Sequence, residues 1–232
     1  MLRPSGLSII VPALNEGTGI AACLAALASL RERGAEIILA DGGSIDATRE
    51  IARPLCDIVV EAPRGRAGQM NAGHEASHGD VLLFLHADSR LPTDADRIIL
   101  DGLRDSGRAW GRFDVIIEGR HPLLPVVAWF MNRRSRLTGV ATGDQGIFVS
   151  RAAFEAAGRY ANIRLMEDVA LSKTLLRAGP PLCLRQRVTT SGRRWEKHGA
   201  LRTILLMWRL RLAYFLGADP DRLAETYHGP RG

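Results

Sequence analysis

Acidic and amide side chains follow three apolar segments in the first ninety residues. Asn15 and Glu16 close LSIIVPALNE, Asp41 follows EIILA, and Asp88 follows VLLFLHA. Each segment is short, rich in aliphatic residues and bounded by polar or glycine-rich residues, which is typical of a buried parallel strand. Because ligands of open α/β sheets bind beyond the carboxyl ends of the strands, we expect these side chains to converge on one crevice. Their oxygens suit a nucleotide and a divalent metal ion.

Two arginines lie beside a predicted helix start. Arg64 and Arg66 flank Gly65 in RGRAGQMNAG. Free N–H groups at a helix N-terminus favour phosphate, and an arginine fork can bond two phosphate oxygens at once. The pattern therefore predicts a diphosphate site; the alternative is a solvated basic loop. Asn71, in the same segment, is expected to line the same cleft.

Two adjacent carboxylates, Glu167 and Asp168, lie at a predicted helix start. Neighbouring helical residues point about 100° apart, so the two side chains are expected to have different roles. One can face a substrate while the other holds a loop or caps the helix. The alternative is that both only cap the helix.

The elements that position these residues follow from alternating strand and helix signals, which predict βαβ units and a mostly parallel sheet. A first helix is expected over residues 17–30, and Ser44 is expected to cap the next helix. Apolar residues and arginines on different faces predict amphipathic helices around residues 126–136 and 201–216. The apolar face of such a helix can pack on its own core, on a second copy of the chain or on an anionic membrane. We expect core or dimer packing.

Composition narrows the function classes. The 232 residues suffice for one α/β domain with a full core. The net charge of +6 favours anionic partners, namely a nucleotide diphosphate, a membrane surface or nucleic acid. An aromatic content of 6% and dispersed basic residues argue against nucleic-acid binding. The three cysteines lack a CxxC spacing, so neither a disulfide framework nor a zinc site is expected. With no signal-peptide pattern and no apolar run of ~18 residues, we expect a cytoplasmic protein or one peripheral at the inner face of the membrane.

Six segments carry a family resemblance, in the order IIVPALNE, DGGSIDATRE, GRAGQMNAG, LFLHADSRLP, GDQGIFVSR and MEDVALSKTLLRAG. Together they resemble the motif series of family 2 glycosyltransferases, which are inverting nucleotide-sugar enzymes. The resemblance runs from about Leu7 to Gly179, and SGRRWEKHG is similar to a short, single-domain bacterial subgroup.

The resemblance implies an α/β fold of GT-A type, a Rossmann-like, mostly parallel sheet flanked by helices, with a C-terminal helical extension. A single domain is expected over residues 1–232. Its nucleotide-binding half would cover about 1–106, its acceptor half about 107–195 and its C-terminal helices about 196–228.

The expected substrate-binding residues lie in loops that follow strands. The first loop would hold the nucleoside, and Asp41 would accept a hydrogen bond from N3 of uracil or bond a ribose hydroxyl. Arg66 would bind the diphosphate, and an arginine after the last strand could reach it too. The full set is Pro12, Ala13, Asn15, Glu16, Asp41, Gly43, Arg66, Asn71, Asp144, Gln145, Arg194 and Trp195.

The segment His86-Ala87-Asp88 occupies the place of the family's DxD motif. Asp88 is expected to ligate Mn²⁺ or Mg²⁺ that bridges the diphosphate. His86 replaces the first aspartate; as a ligand it would favour Mn²⁺, and otherwise it is an ordinary strand-end histidine.

The resemblance implies a metal-dependent inverting glycosyltransferase that uses a UDP- or GDP-sugar, with Asp168 as general base and Glu167 beside it. One alternative is a nucleotidyltransferase acting on a sugar phosphate, which would carry a glycine- and lysine-rich loop where this chain has PALNEGTG. The other is a basic nucleic-acid-binding module. The acceptor is left open.

Overall fold

The computed structural model describes residues 6–228, and for residues 194, 197, 198, 200 and 228 it describes the backbone alone. The strands within this range are β1 (Leu7–Ala13), β2 (Glu36–Asp41), β3 (Ile58–Glu61), β4 (Val81–Phe84), β5 (Ser89–Arg90), β6 (Trp110–Glu118), β7 (Ile147–Ser150) and β8 (Leu182–Ser191). The α-helices are α1 (Ile20–Ala25), α2 (Ala28–Glu32), α3 (Thr48–Ala52), α4 (Arg66–Ala76), α5 (Ala95–Ser106), α6 (Leu124–Thr138), α7 (Arg151–Ala156), α8 (Glu167–Leu175), α9 (Arg193–His198), α10 (Ala200–Phe215) and α11 (Pro220–His228). Short 3-10 turns lie at Gly143–Gln145 and Leu176–Ala178.

The strands form one mixed sheet in the order β3-β2-β1-β4-β7-β6-β8-β5. Strands β3, β2, β1 and β4 are parallel, β7 is antiparallel to both β4 and β6, and β8 runs parallel to β6. The chain moves outward from β1 to β3 and then returns to place β4 on the other side of β1. This reversal opens a crevice at the carboxyl ends of β1 and β4. The predicted mostly parallel sheet is confirmed.

Both faces of the parallel strands are covered, which explains why the apolar runs are nearly continuous. Ile9 and Val11 pack with α1 on one face, while Ile10 packs with α4 on the other. A Cβ built at Gly73 of α4 would overlap the side chain of Ile10. The glycine thus lets α4 approach β1 closely and brings the start of this helix to the crevice.

Several predicted boundaries differ from the structure. The helix expected over residues 17–30 is split into α1 and α2, because Leu27 donates to Leu24 O and Leu30 donates to Leu27 O, a tighter pattern that interrupts an α-helix. Ser44 does not cap a helix: α3 begins at Thr48, whose N–H bonds Asp46 Oδ1. Helix α7 had no predicted counterpart.

The expected C-terminal helical extension is present. Leu210 of α10 and Leu223 of α11 pack with Leu165, Met166 and Val169 around the start of α8. The extension therefore covers the part of the chain that carries Glu167 and Asp168. No helix in the described range is long and apolar enough to cross a membrane.

Candidate functional site

The loop after β1 is held against the loop after β2. Asn15 has a left-handed backbone, with φ of 54°, a conformation that asparagine tolerates better than most residues. Its N–H donates to Ser44 Oγ at 2.9 Å, and its Oδ1 accepts from the N–H of Ile45 at 3.0 Å. The N–H of Glu16 donates to Thr48 Oγ1 at 2.9 Å. Asn15 therefore shapes the loop, and its side-chain oxygen is used within the protein.

Asp41, at the end of β2, is fully buried and has one unused oxygen. Its Oδ2 accepts from the N–H groups of Gly43 and Ser44 at 3.1 and 2.9 Å, and Arg49 Nε lies 3.8 Å away. Gly43 has a φ of +89°, which favours glycine. Asp41 Oδ1 is buried without a hydrogen-bond partner among the described residues. A buried acceptor without a donor is costly, so this oxygen suits a donor from a bound molecule.

Gln69 of α4 joins the ends of β1 and β2. Its Nε2 donates to the carbonyl oxygens of Ala13 and Ala40 at 2.6 and 3.0 Å. Pro12 and Ala13 are buried in β1, and the carbonyl oxygen of Ala13 already accepts a hydrogen bond from within the protein. The sequence analysis missed Gln69, because a glutamine in a helical segment carries no local signal of a contact with two distant strand ends.

Arg66, the first residue of α4, lies among acidic groups of the cleft. Burial would lower the pKa of its guanidinium, but Glu167, Tyr227 and Asp144 outweigh it and raise that pKa. Arg66 therefore stays charged at the wall of the cleft, beside helix N–H groups that are also suited to phosphate.

The imidazole ring of His86 contacts the 3-10 turn at Gly143–Gln145. Its Nδ1 lies 3.3 Å from Asp144 Oδ1, and a Cβ built at Gly143 would overlap its Nε2. Burial would raise the pKa of Asp144, but the hydrogen bond and charge of His86, with the charges of Arg66 and Arg211, lower it. Both ring nitrogens of His86 thus face the turn, which gives the residue a structural role in this arrangement.

Asp88 and Glu16 lie on either side of one arginine. Arg193 Nη2 is 3.9 Å from Asp88 Oδ2 and 3.8 Å from Glu16 Oε2. Burial raises the pKa of Glu16, Arg193 opposes this, and the nearby charge of Asp88 raises it further. The two carboxylates and the arginine join the loop after β1 to the segment after β8.

The donor set for a metal ion is partial. Within residues 6–228 no group of three or more His, Cys, Asp or Glu side chains is arranged to hold a metal. Asp88 lines the cavity and offers a hard oxygen ligand. Mg²⁺ is commonly bound by one or two carboxylates, with substrate phosphates and waters completing the shell. The residues therefore fit a metal shared with a diphosphate and do not form a complete protein cage.

Glu167 and Asp168 at the start of α8 have different surroundings. Asp168 Oδ2 accepts from the N–H of Gly143 at 2.9 Å, and Oδ1 accepts from Val169 N–H at 2.7 Å. Glu167 is 6% exposed, and burial, then the charge of Asp168, raise its pKa to about 7, with Arg66 opposing the shift. Asp168 is more accessible and holds the 3-10 turn, while Glu167 is a buried group that titrates near neutral pH.

Two residues that were expected to line the cleft bond main-chain groups of the protein instead. Asn71 donates from Nδ2 to Tyr160 O at 2.9 Å and accepts from Tyr160 N–H at 3.1 Å. Gln145 is fully buried and forms a capping box with Thr142. Both amides are therefore bonded within the protein, that of Asn71 by Tyr160 and that of Gln145 by Thr142.

The segment after β8 contributes Arg193 and Trp195 to the cavity. The side chain of Arg194 lies outside the described part of the structure. Of the two neighbouring arginines, Arg193 is therefore the one whose contacts with Asp88 and Glu16 are defined.

A cavity of about 640 Å³ is lined by several of these side chains. Its polar end is lined by Arg66, His86, Asp88, Asp144 and Arg193. The other end runs between α6 and α10 and is mostly apolar. A binding site of this size and composition can enclose a small molecule with a charged end and an apolar end.

The sheet topology, with a phosphate-suited cleft beyond the parallel strands, is that of a GT-A fold. Residues 8–156 match the family model for Glycosyl transferase family 2, and the chain belongs to that family. The resemblance is confirmed, and neither alternative class is supported.

Two sequence relatives show the extent of the similarity. Glycosyltransferase AglE of Haloferax volcanii is 35% identical over 91 residues, covering 35% of this chain and 30% of AglE. A PGL/p-HBAD biosynthesis glycosyltransferase of Mycobacterium bovis is 36% identical over 91 residues, covering 36% of each chain. The matched part spans about a third of the length of these relatives.

Solved structures share the fold. S. aureus TarS in complex with UDP-GlcNAc superimposes with a TM-score of 0.65 at 14% identity, covering 80% of this chain and 58% of TarS. Mannosyltransferase PcManGT from Pyrobaculum calidifontis, in complex with GDP-Man and Mn²⁺, superimposes with a TM-score of 0.66 at 19% identity, covering 100% of this chain and 66% of PcManGT.

Proposed function

We propose that the chain transfers a sugar from a UDP- or GDP-sugar to an acceptor hydroxyl, with inversion and with a divalent metal. The observation that carries the proposal is the unpaired, buried Oδ1 of Asp41 at the carboxyl end of β2, beside the crevice. Both uracil and guanine present a ring N–H that can donate to a carboxylate. UDP-GlcNAc in the TarS complex, and GDP-Man with Mn²⁺ in the PcManGT complex, support this choice of ligand.

The diphosphate would lie at the polar end of the cavity. Arg66 and Arg193 supply guanidinium forks, which suit phosphate oxygens. Asp88 would hold Mn²⁺ or Mg²⁺ with the phosphate oxygens, and His86 would keep the 3-10 turn beside it. When bound, the metal neutralises negative charge on the departing nucleoside diphosphate.

Asp168 would act as the general base. It is the more accessible of the two carboxylates, and its charge acts on Arg134 of the cavity wall. As the acceptor oxygen bonds to the anomeric carbon, its proton passes to Asp168 and the bond to the diphosphate breaks. Attack from the face opposite the nucleotide inverts the configuration. Glu167 would control the charge around Arg66 and Asp168.

Calorimetry with UDP and GDP, with and without Mn²⁺, tests the site. Asp41→Ala should weaken nucleotide binding roughly 10- to 100-fold with or without metal, since a hydrogen bond to a charged group contributes about 1.5–3 kcal/mol. Asp88→Ala should remove only the Mn²⁺-dependent part of the affinity. Asp101→Ala, on the exposed face of α5, is the matched control. Unchanged affinity in both site variants would exclude this assignment.

A further inference from the structure

The end of the cavity between α6 and α10 is a groove with apolar walls. Its lining residues, here named the acceptor groove, are Leu123, Val126, Val127, Phe130, Met131, Thr203, Ile204, Met207 and Trp208. A sugar hydroxyl alone gains little from such walls, because apolar surface favours apolar ligands. The groove therefore suits a hydrocarbon chain attached to the acceptor.

Two arginines lie where the acceptor groove meets the polar end. Arg134 of α6 and Arg211 of α10 both line the cavity. Nε and Nη2 of Arg134 and Nε of Arg211 are buried without a hydrogen-bond partner among the described residues. Burial, then the charge of Arg211, lower the pKa of Arg134 to about 10, although Asp168 opposes this. Unsatisfied buried guanidinium donors are costly, and an anionic group between the helices would satisfy them.

The acceptor groove opens onto an exposed apolar surface. Val126, Phe130 and Trp208 line the groove and are also 48%, 55% and 64% exposed. The remaining exposed apolar side chains of this surface, here named the outer face, are Trp129, Leu137, Leu201, Leu205, Leu212, Phe215 and Leu216. An apolar surface of this extent usually marks an interaction site.

Exposed arginines on the two helices that carry the outer face point to its partner. Arg133, Arg202 and Arg209 are exposed on the same two helices, and neither α6 nor α10 contains an acidic residue. A symmetric dimer through this face would bring like charges together and close the mouth of the groove. An anionic lipid surface complements the arginines, and tryptophans favour the interface between membrane and water.

We propose that the acceptor is a lipid whose head group carries both an anionic group and the acceptor hydroxyl, and that the outer face docks on the anionic membrane that supplies it. The head group lies between Arg134 and Arg211, and the chain follows the acceptor groove to the membrane. This inference rests on the proposed glycosyl transfer for the role of the bound lipid. For the outer face, this proposal replaces the expectation that these helices pack on the core or on a second copy of the chain.

Vesicle flotation tests the docking. The protein should bind phosphatidylcholine vesicles that contain phosphatidylglycerol and should ignore vesicles of phosphatidylcholine alone. Trp129→Gln with Leu205→Gln should abolish binding, whereas Ile45→Gln, at an exposed apolar residue elsewhere, should not.

The charge requirement is tested in the same assay. Arg202→Gln with Arg209→Gln should weaken binding roughly 30-fold, or about 2 kcal/mol, since each arginine near an anionic surface contributes about 1 kcal/mol. Arg53→Gln with Arg97→Gln removes the same charge from exposed positions on the nucleotide-binding half and should have no effect. Equal binding to both vesicle types, or a dimer in light scattering that the Trp129 and Leu205 changes dissociate, would overturn the docking proposal.

The head-group site is tested by calorimetry with octyl phosphate, octyl glucoside and inorganic phosphate. Octyl phosphate should bind at least tenfold more tightly than either other probe, also in the presence of saturating UDP and Mn²⁺. Arg134→Gln and, independently, Arg211→Gln should remove this preference, while Arg53→Gln, at an exposed position on the nucleotide-binding half, should keep it.

Competition between UDP and octyl phosphate, or equal binding of the two octyl compounds, would overturn the head-group site. Measuring UDP binding by the same preparations distinguishes a failure of the lipid-acceptor proposal from a failure of the proposed donor site. Normal UDP binding without vesicle or octyl phosphate binding rejects the lipid acceptor alone. Lipid binding without UDP binding rejects the proposed donor site.

Discussion

The ionisation of Glu167 should make the stability of the ligand-free protein depend on pH. Its pKa rises from an ordinary value of 4.5 to about 7 in the folded chain. Below pH 4.5 Glu167 is protonated in both the folded and the unfolded chain, so its ionisation does not change the stability. As the pH rises towards 7, Glu167 loses its proton in the unfolded chain first. The free energy of unfolding therefore falls by about 3 kcal/mol.

Glu167→Gln removes this penalty, since glutamine is uncharged at every pH. The variant should match the wild type near pH 4.5 and exceed it by about 3 kcal/mol at pH 8, which corresponds to roughly 6 to 12 °C in Tm for a chain of this size. Urea unfolding at both pH values measures the difference. Glu50→Gln, at an exposed residue of α3, is the control and should show no such change with pH.

Asp168 provides an internal check, because its charge is the second cause of the raised pKa of Glu167. Asp168→Asn should therefore reduce the pH dependence without abolishing it, since burial of Glu167 remains. If Glu167→Gln stabilises the protein equally at pH 4.5 and pH 8, then Glu167 ionises normally in the fold and the reasoning is refuted.

Three further predictions concern the loops of the site. Asp168→Asn should lower the transfer rate by ~10² to 10⁴ with donor affinity unchanged, measured by single-turnover kinetics and calorimetry; an active variant would reassign the base to Glu167. Gly143→Ala should cost about 1–3 kcal/mol in urea unfolding, because its Cβ would overlap His86. Gln69→Ala should cost about 1–3 kcal/mol in the same assay, because two buried strand-end carbonyls lose their shared donor.

The strand ends could be predicted from the sequence because they depend on local patterns. Apolar runs followed by Asp41 and Asp88 fix where the parallel strands stop, and the topology then brings both to one edge of the sheet. The break between α1 and α2 could not be predicted, since alanine and leucine suit either a continuous helix or the tighter bonds found at Leu27.

Side-chain amides were the weakest part of the site prediction. Asn71 of α4 and Gln145 of the 3-10 turn lie in the expected segments, yet each bonds the protein's own main chain. An amide can donate and accept towards a ligand or towards a neighbouring loop, and residue type does not decide between the two. Arg193 contacts Glu16 and Gln69 contacts Ala13 and Ala40, all distant in sequence, so these partners became visible only in the fold.

The 3-10 turn at Gly143–Gln145 connects His86 to Asp168. One side of it contacts His86 through Asp144, and the other receives the carboxylate of Asp168 through Gly143 N–H. A shift of the turn on the His86 side should therefore change the orientation of Asp168, the proposed base. Substitutions at His86 and Asp168 should then be non-additive in a double-mutant cycle, although the two side chains share no direct bond.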